Sequence, residues 1–179
     1  MTCIVGLVAN DGAVHIAGDS AGTGHGGRTM IRRDPKVFTI GEMAFGFTDS
    51  FRMGQLLHYT LNLPSRAEKI EDMHYLVTQF IPCIQAAMRD AGWLLQSDGR
   101  YEGGTFLIGY RGRLYSVEAD FQVAECEDTF TAIGSGEHVA LGALAALENL
   151  EPIPRMTRAL EIAAKHTAYV RGPFTFVSA

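Results

Sequence analysis

Residues 2–19 read TCIVGLVANDGAVHIAGD, two apolar runs on either side of Asn10-Asp11-Gly12. Ile4, Val5, Leu7 and Val8 make a strand of residues 2–9, residues 13–19 make a second, and the Asn-Asp-Gly triplet supplies the turn between them. The chain therefore opens with a β-hairpin. The same reading gives a hairpin of residues 37–40 and 43–47 about Gly41-Glu42, and another of 105–110 and 114–119 about Arg111-Gly112. Residues 129–133 and 174–177 are further strands, and 20–27 and 99–104 read as loops.

Between the strands the apolar period lengthens. Residues 49–63 are helical in composition and stop at Pro64. Ser65 and Glu68 form a capping-box signature for the next helix, in which Ile70, Met73, Leu76, Val77, Phe80, Ile81 and Ile84 recur at helical spacing and Pro82 introduces a kink. Gly134-Ser135-Gly136 leads into an Ala-rich helix of residues 138–149, followed by a helix of 155–167. Each strand set is thus followed by a helix pair. The pattern predicts an α+β fold, a four-layer αββα sandwich in which two stacked, mainly antiparallel sheets lie between helix pairs. No linker, repeat or low-complexity tract interrupts it, so residues 1–179 are expected to form one domain.

Composition narrows the function class. Of the 179 residues 47% are hydrophobic and 20% charged, with a formal net charge of −5, which offers no basic face for nucleic acid. No apolar run is long enough to span a bilayer, and the N-terminus has no signal-peptide pattern, so a cytoplasmic location is expected. Cys3, Cys83 and Cys126 are too few and too widely spaced for a disulfide framework or a zinc site. The histidines at 15, 25, 58, 74, 138 and 166 form no metal-binding spacing, and neither a metal nor another cofactor is expected. Gly22, Gly24 and Gly27 fit GxGxxG, but no helix begins there, as a dinucleotide site would require.

Four features carry chemistry. Removal of Met1 would give Thr2 both a hydroxyl and a free α-amine. Such an amine has a pKa of about 7.7–8.0 and is partly unprotonated at neutral pH. One residue then supplies nucleophile and base. Asp19 ends the second strand, where its carboxylate can hold a cation. Lys36, in Asp34-Pro35-Lys36-Val37, is a cation that can lower the pKa values at Thr2. Ser135 offers a hydroxyl at a strand-to-helix turn, where it can orient an amine.

The order and spacing of these features resemble the proteasome β-subunit family, and the bacterial HslV-type subunit most closely. Thr2-Cys3-Ile4-Val5-Gly6 looks like that family's mature start, and Ala17-Gly18-Asp19-Ser20 with Thr23-Gly24 looks like its second-strand motif. Ala132-Ile133-Gly134-Ser135-Gly136, the Ala-rich run to Asn149, and Ala159-Leu160-Glu161-Ile162-Ala163 with Tyr169 continue the likeness. The resemblance implies the N-terminal-nucleophile hydrolase fold and a threonine peptidase acting on polypeptides. By position, Thr2 is the nucleophile, Asp19 orients Lys36, Lys36 stabilises the charge developing on the Thr2 oxygen, and Ser135 holds the amine. The backbone of Thr23 pairs with the substrate, and the N–H of Gly46 forms the oxyanion hole. Gly22, Asp34, Phe38 and Ala44 lie nearest the specificity pocket. It also implies a self-compartmentalised homo-oligomeric ring and an ATP-dependent unfoldase as partner.

Two departures stand out. The segment 46–50, Gly-Phe-Thr-Asp-Ser, is shorter and poorer in glycine than the family pattern, and Lys165 stands where the family carries an Asp supporting the amine. A catalytically silent structural subunit of the same fold, and an amidase acting on a small amide, are the alternatives these departures leave open.

Overall fold

The computed structural model describes residues 1–24, 26–97 and 100–179, and the side chains of 95–97, 100 and 101 fall outside the description. Gly99 and His25 therefore lie outside the described residues. In chain order come β1 (Ile4–Val8), β2 (Val14–Gly18), β3 (Ala21–Thr23), β4 (Thr29–Ile31), β5 (Val37–Ile40), β6 (Met43–Phe47), α1 (Phe51–Thr60), α2 (Asp72–Tyr75) and α3 (Ile81–Asp90). Then follow β7 (Leu95–Ser97), β8 (Arg100–Glu102), β9 (Phe106–Tyr110), β10 (Arg113–Val117), β11 (Val123–Glu125), β12 (Phe130–Ile133), α4 (Glu137–Ala146), α5 (Pro152–His166) and β13 (Thr175–Ser178).

Two antiparallel sheets stack face to face. One has the order β12-β1-β2-β13, the other β11-β10-β9-β6-β5. Three apolar layers hold them. Ile4, Ile16, Val37, Leu107 and Leu114 fill the space between the sheets. Phe45, Met53, Phe80, Phe106 and Tyr115 join the larger sheet to α1 and α3. Val5, Ala17, Leu144, Met156 and Leu160 join the smaller sheet to α4 and α5. The expected αββα sandwich is the fold observed.

The hairpins fold where turn chemistry directs them. Gly12 takes φ 85°, and Arg111 and Gly112 take φ 50° and 76°, the left-handed pair a two-residue hairpin turn requires. Ser50 caps α1 by accepting from the N–H groups of Arg52 and Met53 at 3.1 and 3.3 Å.

Three expectations change. The loop 20–27 contains β3, which pairs with β4, and 100–102 of the expected loop 99–104 is the strand β8. The capping box at Ser65 starts no helix. Asp72 opens the next helix, and Arg66 ties the intervening loop down by an ion pair to Asp72 and a hydrogen bond to the Ile70 carbonyl. A π-helical turn, Leu76–Phe80, widens the helix just ahead of Pro82, which sits in the first turn of α3.

Candidate active site

β1 lies between β12 and β2, so the residues just before it are held from both sides. Thr2 is 4% exposed there. Its nitrogen donates to Ser135 Oγ at 3.1 Å, and the Ser135 hydroxyl donates back to the Thr2 carbonyl at 3.2 Å. The Thr2 carbonyl also accepts from the Gly136 N–H at 3.2 Å. This approach depends on Gly134, which takes φ 94° and has no room for a side chain, because a Cβ would stand 2.5 Å from the Thr2 carbonyl oxygen.

At the end of β2, Asp19 gathers the other side of the site. Its Oδ1 accepts from Lys36 Nζ at 2.7 Å and from the Cys3 N–H at 3.0 Å. Its Oδ2 accepts from the N–H groups of Ala21 at 3.1 Å and Arg171 at 3.3 Å. Both side chains of the Asp19–Lys36 pair are almost wholly buried, at 0% and 1% exposure. Such a pair is tolerable because every lone-pair direction of the carboxylate finds a donor. The Lys36 ammonium also reaches the Met1 carbonyl at 3.4 Å, one peptide bond from Thr2. Burial pulls the Lys36 pKa below the ordinary lysine value against the opposing pull of Asp19, and the charge of Arg32 adds a smaller push the same way. Thr2, Asp19, Lys36 and Ser135 thus come together from the start of β1, the end of β2, the start of β5 and the β12–α4 turn.

Cys3, next to Thr2, is fully buried, and its thiol pKa is pushed up to about 12, first by burial and then by Asp19. It therefore supplies no thiolate to compete with the Thr2 hydroxyl at neutral pH.

Of the remaining expected site residues, Gly46, Phe38, Ala44 and Asp34 are not brought together. Gly46 lies inside β6, paired with Val37 and Leu107. The Phe47 N–H points to Lys36 and the Thr48 N–H to Thr105, so strand alternation sends the Gly46 N–H to β9 and away from the site. Its Cα faces the layer between the sheets, where a Cβ would stand 2.5 Å from Ile4. Ala44 faces the same layer, whereas Phe38 faces the helices, stacked on Phe45 at 5.2 Å and His58 at 4.3 Å. Ala44 and Phe38 therefore share no pocket. Asp34 turns to Arg32, whose guanidinium holds its carboxyl below the usual range. Lys165 is exposed on the last turn of α5, and the loop after that helix reaches the site through the backbone of Arg171.

Gly22 and Thr23 do line a pocket of about 310 Å³ beside the site, together with Met30, Arg32 and Phe51. β3 is paired only with β4 among the described residues, which leaves its other edge open next to this pocket. Phe51 was not anticipated as a site residue. Its ring lies 3.8 Å from the Arg32 guanidinium carbon and 5.7 Å from Lys36 Nζ.

No protein-family model matches the sequence, and no curated protein matches it. Solved structures do. BPH of Thiobacillus denitrificans superposes with a TM-score of 0.80 at 20% identity over 99% of this chain and 97% of that one. The same protein in complex with epoxomicin gives 0.80 and 20% over 98% and 97%. The eukaryotic HslV of Trypanosoma brucei gives 0.69 at 18% identity over 99% and 98%. The Anbu (Gly-1) mutant from Hyphomicrobium sp. strain MC1 gives 0.70 at 12% over 100% and 81%. These likenesses establish the fold, which this chain shares with HslV and proteasome-like proteins.

Proposed function

We propose that this chain, built on the fold of HslV and proteasome-like proteins, is a threonine-type endopeptidase whose nucleophile is the hydroxyl of Thr2 once Met1 is removed. The observation that carries the reading is the buried Asp19 carboxylate, which binds the Lys36 ammonium and the Cys3 N–H on either side of the Thr2 peptide unit. Lys36 is a fixed positive charge within reach of the carbonyl preceding Thr2, and Ser135 holds the Thr2 nitrogen.

In the reaction the free amine of Thr2 takes the hydroxyl proton, directly or through a water, as the oxygen attacks the scissile carbonyl. The Lys36 charge stabilises the oxygen nucleophile. The C–N bond breaks, the proton passes to the leaving amine, and an ester remains on Thr2. Water hydrolyses that ester and restores the hydroxyl. The open edge of β3 at Thr23 pairs with the acyl half of an extended polypeptide. We further propose that the chain acts as one domain in a cytoplasmic homo-oligomeric ring fed by an ATP-dependent unfoldase. Among the described residues no helix is long and apolar enough to cross a membrane.

One observation favours a second reading, a silent structural subunit. The N–H of Gly46 belongs to the strand ladder, so the oxyanion donor expected there is missing from the cleft. An epoxyketone decides between the two. T. denitrificans BPH has been solved with epoxomicin. Intact mass should show this chain starting at Thr2 and gaining one inhibitor, with no gain in Thr2→Ala. A chain that starts at Thr2 and stays unlabelled is the silent subunit.

A further inference from the structure

The pocket beside Thr23 has an apolar floor and a cationic wall. Phe51 and Met30 supply the floor. The Arg32 guanidinium carbon lies over the Phe51 ring, 3.8 Å from its centroid, and the Arg32 side chain is 24% exposed. Asp34 occupies one edge of the guanidinium, taking hydrogen bonds from Nε and Nη2. Among the described residues nothing accepts from Nη1. Arg28 stands on the same rim, and among the described residues no carboxylate lines the pocket. The cleft on the other side of Thr2, lined by Ser135, has the opposite character, with Asp49, Glu118 and Glu137 on its walls. A negatively charged side chain near Thr2 is therefore attracted to the Arg32 side and repelled from the other.

We propose that Arg32 determines specificity at this site, and that the pocket it walls takes an acidic side chain, glutamate above all, from the acyl half of the substrate. The inference rests on the peptidase reading of Thr2 and names the substrate class of that site. The stem of a glutamate covers the Phe51 and Met30 surface, and its carboxylate accepts from Nη1, the edge Asp34 leaves open. Cation–ring contact and the Asp34 pair together fix the guanidinium in one orientation before any ligand arrives, which lowers the ordering cost of binding. Of the residues expected nearest the specificity pocket, Gly22 lines this one, whereas Phe38 and Ala44 face different layers and take no part in it.

Two measurements on the full chain test it. The first compares cleavage of fluorogenic peptides that differ only in Glu or Gln before the scissile bond. The second compares binding, by fluorescence anisotropy to Thr2→Ala, of labelled tetrapeptide amides ending in Glu or Gln. Glu and Gln match in shape, so the ratio isolates charge. A partly exposed pair of this kind should favour Glu by about fivefold, a ratio that shrinks with added salt. Arg32→Gln should bring both ratios to about one. A wild-type ratio of one or less in the binding assay overturns the inference without any variant, and so does a ratio that survives Arg32→Gln. Absence of cleavage with every peptide would instead count against the peptidase reading, and the binding ratio would still decide the role of Arg32.

Discussion

Asp19 and Arg171 meet although they lie 152 positions apart in the chain: the carboxylate Oδ2 accepts from the Arg171 N–H at 3.3 Å. The loop after α5 is thereby part of the site's framework. Ser20 strengthens the same junction, donating its N–H to the Arg171 carbonyl at 2.9 Å and its hydroxyl to the Pro173 carbonyl at 2.5 Å. The position of Asp19 is thus set by backbone groups as well as by Lys36.

Loss of the Thr2 hydroxyl should abolish peptide hydrolysis without unfolding the protein. Thr2→Ala keeps the backbone bonds to Ser135 and Gly136, so its melting temperature should stay close to that of the parent while turnover vanishes. Thr2→Ser should retain a fraction of kcat. Turnover surviving in Thr2→Ala would remove Thr2 from the mechanism.

The buried pair should behave as a unit. Asp19→Asn leaves the Lys36 ammonium buried without a carboxylate and should cost about 3–5 kcal/mol of stability. Lys36→Met leaves Asp19 with three N–H donors and should cost less. The double variant should be more stable than the sum of the two losses implies, and kcat should show the same non-additivity. Denaturant titration and steady-state kinetics on all four proteins give both cycles, and additive effects would mean the groups act independently.

Gly134→Ala should damage stability and activity together. The left-handed φ costs an alanine about 1 kcal/mol or more. The Thr2 carbonyl 2.5 Å from the new Cβ is backbone and cannot swing aside. Displacing Thr2 by about 1 Å would lower kcat on the order of 100-fold. Full activity in a stably folded Gly134→Ala would show that the contact is not needed.

Activity and stability should diverge at alkaline pH. The Lys36 pKa lies below the ordinary lysine value of 10.5, chiefly through burial. On the proposed mechanism the Lys36 ammonium is lost as pH rises through that lowered value, and kcat/KM should fall before 10.5 is reached. Over the same window the unfolded chain binds more protons at this lysine than the folded one, so its contribution to stability rises with pH. On the acid side, activity should fall as the Thr2 amine protonates and can no longer act as the base. A pH–rate profile beside denaturant midpoints checks both signs, and Lys36→Met should remove the stability slope.

Much of this architecture is legible in the residues. The hairpins are, because period-two runs flank Asn-Asp-Gly and Arg-Gly turns. The association of Thr2, Asp19, Lys36 and Ser135 is legible only through a family resemblance, since each residue alone has an ordinary surface reading. What escapes is short or two-faced. β3, β4, β7, β8 and β11 have three residues each, too few to show a period. β6 is buried on both faces, so Ala44 and Gly46 look interchangeable with Phe45 and Phe47 until the register assigns them to different layers. The Phe51 ring that links Arg32 to Lys36 carries no local signal, because the contact joins α1 to the chain before β5.

The pairing of β13 with β2 has a consequence in time. Thr175–Ser178 lies beside Gly18–His15, so the strand that leads into Asp19 acquires its last neighbour from residues synthesised about 160 positions later. A nascent chain that has already exposed Thr2, Asp19 and Lys36 still lacks the Arg171 N–H and the β13 edge. The Asp19 side of the site is therefore completed only by a segment made late in synthesis.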